Sequence, residues 1–235
     1  NRILGHFRNT NYETKNEKLF KDDFTSEIDG ALGLFSSLEL SKNYSNTEHF
    51  FTPKFFVRYA PGSMRRKTQS TRLTPVKAFS IERLHNNKHF ETGLTGTIGF
   101  DYSIKEKDKE KFDFSIAQIV NPEENKKMPD EISMNEKLSD ITGQASYSKN
   151  NFNLTYNFNL DQNYNEFNYN ELSSTFELNK LKTEFGYVKE QKHIGDQEYF
   201  RTKLGIINSE KSEISFETKR NLTTSSSEYY NLKYE

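Results

Sequence analysis

The 235-residue sequence has no cysteine, no tryptophan and only five prolines, and its formal net charge is −1. Without cysteine there is no disulfide framework and no thiolate metal site within these residues, and the redox compartment stays open. Charge this close to balance argues against a nucleic-acid partner, which draws a clearly basic surface. No stretch approaches the roughly 18 consecutive apolar residues of a membrane helix, so that kind of span is excluded. The chain starts at Asn1 with neither the charged nor the apolar segment of a secretion signal, so either a signal has been removed or these residues are internal to a longer chain. Apolar residues are also scarce: 32% of the chain against 29% charged, with a mean hydropathy of −0.94. A soluble domain is ordinarily about half apolar.

What is present argues against disorder. Disordered chains are poor in aromatics, and this one has 20 Phe and 13 Tyr. They recur with period two. In "NFNLTYNFNL", Phe152, Leu154, Tyr156, Phe158 and Leu160 fall on one side of a strand and Asn151, Asn153, Thr155, Asn157 and Asn159 on the other. Leu94, Ile98, Phe100 and Tyr102 alternate with Gly93, Thr95, Thr97, Gly99 and Asp101. Phe112, Phe114 and Ile116 alternate with Asp113 and Ser115, and Ile214 and Phe216 with Glu213, Ser215 and Glu217. Less regular strands are predicted over 25–40, 47–59, 139–148, 166–178, 181–189, 198–207 and 226–235, with 1–24 as a loop leading in. A phase slip between Tyr169 and Leu172 predicts a bulge. The total is about eleven strands, each close to the 9–11 residues that cross a bilayer at a tilt.

The connections alternate in length from residue 41 onward. "KNYSNT", "IKEKDKEK", "KNN", "NK" and "NSEK" are short, whereas 60–90, 120–138 and "EQKHIGDQ" are longer. Short turns at one end and long loops at the other, with strands apolar on one face and Asn-, Thr- and charge-rich on the other, predict an all-β, antiparallel up-and-down transmembrane β-barrel segment with a watery interior. The competing reading is a soluble sandwich or solenoid with a polar outer face, for example a secreted or surface adhesin. It needs a dry interior, which these polar faces do not offer.

No catalytic signature is present. His85 and His89 have a zinc spacing only on a helix, and no helical stripe surrounds them. Gly93, Gly96 and Gly99 lie inside a strand pattern rather than before a helix, so they are strand glycines that relieve crowding or permit bends, not a phosphate loop. Pro53 cannot donate to a ladder and belongs at a strand start or an unpaired stretch. Pro61 and Gly62 end that strand in a turn. Phe56 breaks its alternation by facing inward.

Three blocks resemble the C-terminal part of the LPS-assembly protein LptD (OstA) family. The first is "FFTPKFFVRYAPGSMR", with Thr52, Pro53, Lys54, Arg58, Tyr59, Pro61 and Gly62. The second is "FDFSIAQIVNPEENKKMPDEISMNEKLSDITGQASYS", with Gln118, Ser139, Asp140 and Gly143. The third is "YNLKYE" at 230–235. They occur in the family's order. The resemblance implies an outer-membrane barrel of about 26 strands, of which this chain is part, with a periplasmic jelly roll before Asn1 and closing strands after Glu235. It implies transport and insertion of lipopolysaccharide, no cofactor, no metal and no enzyme chemistry. The implied partners are lipopolysaccharide, membrane lipid, an LptE-type lipoprotein plug and an LptA-type periplasmic bridge docking on the N-terminal domain. On that reading the basic run Arg65, Arg66 and Lys67 is a candidate contact for lipopolysaccharide phosphates, against the plainer reading of a solvated loop. Another outer-membrane barrel, a porin or plugged transporter, satisfies the same alternation. Tyr59, Tyr102, Tyr147, Tyr187 and Tyr229 are predicted to sit in interfacial girdles.

Overall fold

The computed structural model describes residues 1–16, 22–64, 72–84, 89–106, 109–130, 133–192, 195–209 and 212–234. Its strands are β1 (Arg2–Glu13), β2 (Phe24–Ser37), β3 (Leu40–Asn43), β4 (Glu48–Ala60), β5 (Gly93–Glu106), β6 (Lys109–Val120), β7 (Ile141–Lys149), β8 (Phe152–Leu160), β9 (Phe167–Leu178), β10 (Leu181–Glu190), β11 (Gln197–Ser209), β12 (Ser212–Asn221) and β13 (Ser226–Tyr234), with one helical turn, α1 (Pro75–Ala78). Each strand pairs antiparallel with its neighbour in sequence. The exception is β3, which prolongs the line of β2 and pairs with β4. The result is an up-and-down meander, and among the described residues β1 and β13 do not meet.

Register shows why the alternation matters. Phe55 lies beside Ile98, Phe100 beside Ile116, Phe114 beside Ala145, Tyr156 beside Leu172, Leu204 beside Phe216 and Phe216 beside Leu232, so the apolar sets of successive strands share one face. That face is open: Leu32 is 66% exposed, Ile98 49% and Phe216 41%. A continuous apolar band of this kind is costly in water and is what hydrocarbon favours. The opposite face carries Lys54, Arg58, Asp101, Asp113, Glu171, Arg201, Glu217 and Lys219. This is the wall of a transmembrane β-barrel.

Turn parity follows the expectation. One end has connections at 44–47, 107–108, 150–151, 179–180 and 210–211, and the other end has 61–92, 121–140, 161–166, 191–196 and 222–225. In the two-residue turns Asn150 and Asn179 adopt left-handed φ values of 52° and 53°, which asparagine tolerates better than most residues.

Several expectations need correction. Residues 1–24 are not simply a loop: β1 occupies Arg2–Glu13, with only Ile3 and Phe7 as large apolar side chains on its outer face, too few to show a period. The bulge sits slightly upstream of the predicted slip, where Asn159 pairs with Tyr169 and Leu160 with Phe167, leaving Asn168 as the extra residue. Tyr59, Tyr102, Tyr147 and Tyr187 lie on the apolar face, but Tyr229 lies on the polar face, donating to Glu217 at 2.6 Å. Pro53 faces the gap between β2 and β3: its carbonyl accepts from Leu38 at 3.3 Å, so its missing N–H points at the same interruption.

Candidate functional site

The long connection after β4 folds back over the polar face and crosses it. Past Met64 its described part resumes at Arg72, whose guanidinium donates to Glu190 of β10 at 2.6 and 3.4 Å and lies 4.2 Å over the ring of Tyr169. The Leu73 carbonyl accepts from Thr142 of β7 at 2.9 Å. Thr74 caps α1, accepting from the Lys77 amide, and Pro75 occupies the first turn, where its missing N–H is harmless. The Ala78 carbonyl accepts from Thr97 of β5 at 2.9 Å and the Ile81 carbonyl from Arg58 of β4 at 2.7 Å. Glu82 ends the crossing, 3.7 Å from both His6 and Arg8 of β1. Residues 72–82 thus visit β10, β7, β5, β4 and β1 in order.

This path requires curvature. In a flat sheet the staves from β1 to β10 would separate those contacts by about 38 Å at roughly 4.8 Å per step. Eleven residues, four in a helical turn, reach only about 25–30 Å, and the side chains that tether them stand nearly perpendicular to the sheet. The polar face therefore curls around the strap and is the lumen.

The return leg is held more deeply. Arg83 and Glu91 form a buried bidentate pair at 2.7 and 2.9 Å, and Arg83 also donates to Thr95. A second Arg58 bond reaches the Glu91 carbonyl at 2.7 Å. Phe90 stacks on His6 at 5.6 Å between centroids, with Arg8 and Arg58 over its ring at 5.0 and 5.3 Å. Beneath the strap, Met64, Leu73, Ala78 and Leu84 pack with Ala117, Ile119, Met128 and Met134, the last two from the 121–140 connection. Phe56, fully buried, fills the space above Gly33, whose lack of a Cβ makes room for the ring, and meets Phe35, which in turn meets Phe79 edge-on at 5.9 Å. The inward phenylalanine is part of this inner core.

The second resemblance block also converges, at the base of the 121–140 connection. Gln118 donates to the Ser139 carbonyl at 3.0 Å, and the Ser139 hydroxyl accepts from the Ile119 amide at 2.9 Å. Asp140, buried, accepts from Ser133 and Asn168, both at 2.7 Å. Burial pushes the Asp140 carboxyl above its ordinary range, although those hydrogen bonds oppose it. Burial also works against ionisation of nearby Asp161, but hydrogen bonds from Asn163 and the Lys192 ammonium at 3.0 Å outweigh it and hold that carboxyl below its ordinary range. Gly143 lies under the ring of Phe158 on the apolar face, where any Cβ would collide with it.

In the first block, Thr52, Lys54 and Arg58 face the lumen and Tyr59 faces outward. Lys54 pairs with Asp101 and lies 5.7 Å over Phe79. Gly62, with φ of 102°, makes the turn after Pro61. Arg65, Arg66, Lys67 and His85 lie outside the described residues, and the His89 carbonyl accepts from Arg8 at 3.3 Å. Gly99 sits against the backbone of β6, where a Cβ would strike the Ile116 carbonyl, as the crowding argument expected. Sequence reasoning missed the strap itself, Glu190 and the Arg83–Glu91 pair. Thr74–Pro75, a cap followed by a first-turn proline, is a signal that could have located the helical turn.

No family model matches this chain and no curated protein matches it. Among solved structures it is similar to two mutant forms of the porin of Rh. blastica, each 7% identical with 99% of both chains covered, at TM-scores of 0.34 and 0.35. TM-scores of that size assign neither family nor function.

Proposed function

We propose that the chain is lumen wall and internal strap of an outer-membrane β-barrel that exports lipopolysaccharide, as in the family its three sequence blocks resemble. One observation carries the choice: the long connection after β4 folds inside and is fastened there by Arg58, Thr97, Thr142 and the Arg83–Glu91 pair, and the connection after β6 packs against it through Met128 and Met134. A barrel that must pass a large amphiphile without leaking small solutes needs such an internal filling. Residues of two resembling blocks do the fastening, Arg58 for the strap and Gln118, Ser139 and Asp140 for the second connection.

A porin-type channel is the second reading, favoured by the polar face from β9 to β13. An open cleft of about 510 Å³ there is lined by Glu171, Glu184, Arg201, Lys219 and Tyr229 among others. Controlled depletion in the native organism separates the two. Lipopolysaccharide export predicts that newly made lipopolysaccharide stops reaching the cell surface while solute uptake persists. Loss of small-solute uptake with normal surface lipopolysaccharide would reject export in favour of the channel.

A further inference from the structure

The two ends of the strap are fastened by different means. Toward β4 and β5 it is held by buried groups: two carbonyls on Arg58, one on Thr97, the enclosed Arg83–Glu91 pair, and Phe79 and Leu84 among the inner apolar residues. Toward β10 the outermost hold among the described residues is Arg72, its side chain 32% exposed, on Glu190, 1% exposed, with Leu73 next to it buried in the inner core. Tyr169 receives the guanidinium on its ring face and gives its own hydroxyl proton to Glu171 at 2.5 Å. One planar cation thus bridges two adjacent strands, β9 and β10, across the lumen from the end that is anchored.

We propose that the arm from Arg72 to Lys77 is a gate, hinged where the Ala78 and Ile81 carbonyls are held at β4–β5 and latched at β9–β10 by Arg72 on Glu190 and Tyr169. The latch is reversible because its cation is accessible to water while its carboxylate is not. When Arg72 leaves, Glu190 has to be hydrated, so water enters the lumen where the arm had lain. The hinge keeps its buried bonds throughout, and the arm swings without the wall unfolding. Thr142, which holds the Leu73 carbonyl, is the next bond to open. The inference rests on the barrel-wall reading and deepens it by naming which end of the internal filling moves.

The test is conductance of the protein expressed from its complete reading frame and inserted in planar lipid bilayers. Arg72→Gln and Glu190→Gln are each expected to raise open probability or conductance several-fold. The charge swap Arg72→Glu with Glu190→Arg is expected to bring it back towards the wild-type level. Residues 1–235 hold no cysteine, so once any cysteine elsewhere in the reading frame is replaced by serine, cysteines at 72 and 190 joined by a short bifunctional thiosulfonate reagent should hold conductance low, with release on reduction. This arm reads out the latch even where a neutralised variant fails to fold. Insertions that conduct alike in wild type, single variants and cross-linked protein would overturn the gate and leave the barrel wall standing. Insertions that never conduct, latched or unlatched, would overturn both.

Discussion

On the lumen side of β4, β5 and β7, Arg58, Thr97 and Thr142 are at most 1% exposed. On the same side of β10 to β12, Lys182, Glu184, Arg201, Glu217 and Lys219 are between 25% and 53% exposed. The strands are alike in length, pairing and outer face. The difference is what lies over them: the first region is roofed by the strap and the 121–140 connection, while the second meets solvent. The same residue types therefore have different energetic roles. A charge under the roof has to be paired and hydrogen-bonded, since burying it unpaired is expensive. A charge in the open region is screened and interacts weakly.

The largest effect should come from breaking a roofed pair. Arg83→Met leaves Glu91 buried without its partner and is expected to cost about 3–5 kcal/mol, measured by denaturant unfolding from lipid or detergent. Lys182→Met, which disrupts an open-region pair with Glu184 at 3.1 Å, should cost about 0.2–1 kcal/mol. Equal losses would erase the distinction between the regions. Outer-face charges supply a control that the roof should not affect. Ile98→Arg and Phe216→Arg, one from each region, should both cost about 2–4 kcal/mol near the bilayer midplane, and a negligible cost in lipid would count against a membrane-facing band. Thr97→Val, which strips the Ala78 carbonyl of its donor under the roof, should cost about 1–3 kcal/mol.

The smallest and most selective test is pH. Asp140, with its folded value raised above the ordinary 3.8, contributes stability that is fully present below 3.8 and lost as pH rises through the raised value. Asp161, with its folded value depressed below 3.8, contributes stability present above 3.8 and lost as pH falls through the depressed value. Asp140→Asn should therefore remove a loss of stability on the alkaline side of 3.8, and Asp161→Asn a loss on the acid side. Unfolding midpoints across the acid range that move in the same sense for both variants would show that the two carboxyls do not sit in opposed environments.

The outer face was legible because its selection is one-dimensional: lipid rewards every second residue, so Phe152 to Leu160 could be placed without any tertiary knowledge. β1 escaped because Gly5, Asn9 and Asn11 occupy outward positions where apolar residues would have marked the period. The direction of Phe56 could be read, but not its reason, since the residues that receive it, Gly33 and Phe35 with Phe79 behind them, are far from it in sequence or on another strand. The strap has neither period nor strand propensity. Its path is set by single polar contacts whose partners are scattered from β1 to β10. Gln118, Ser139 and Asp140 could be singled out as a block, yet their joint task at the base of one connection appears only once Asn168, pushed out of register by the bulge, is brought beside them.

The Arg72–Glu190 contact joins residues 118 apart in sequence, while nearly all the wall's ladders join near neighbours. Contacts of such separation carry the greatest loop-closure entropy and gain least until intervening structure is in place. During assembly the hairpins from β4 to β10 therefore form before the strap is fastened at its far end, and the nascent barrel passes through a stage in which its aperture is widest. Cleavage by trypsin at Arg72 should persist after the strands have acquired protection and disappear last.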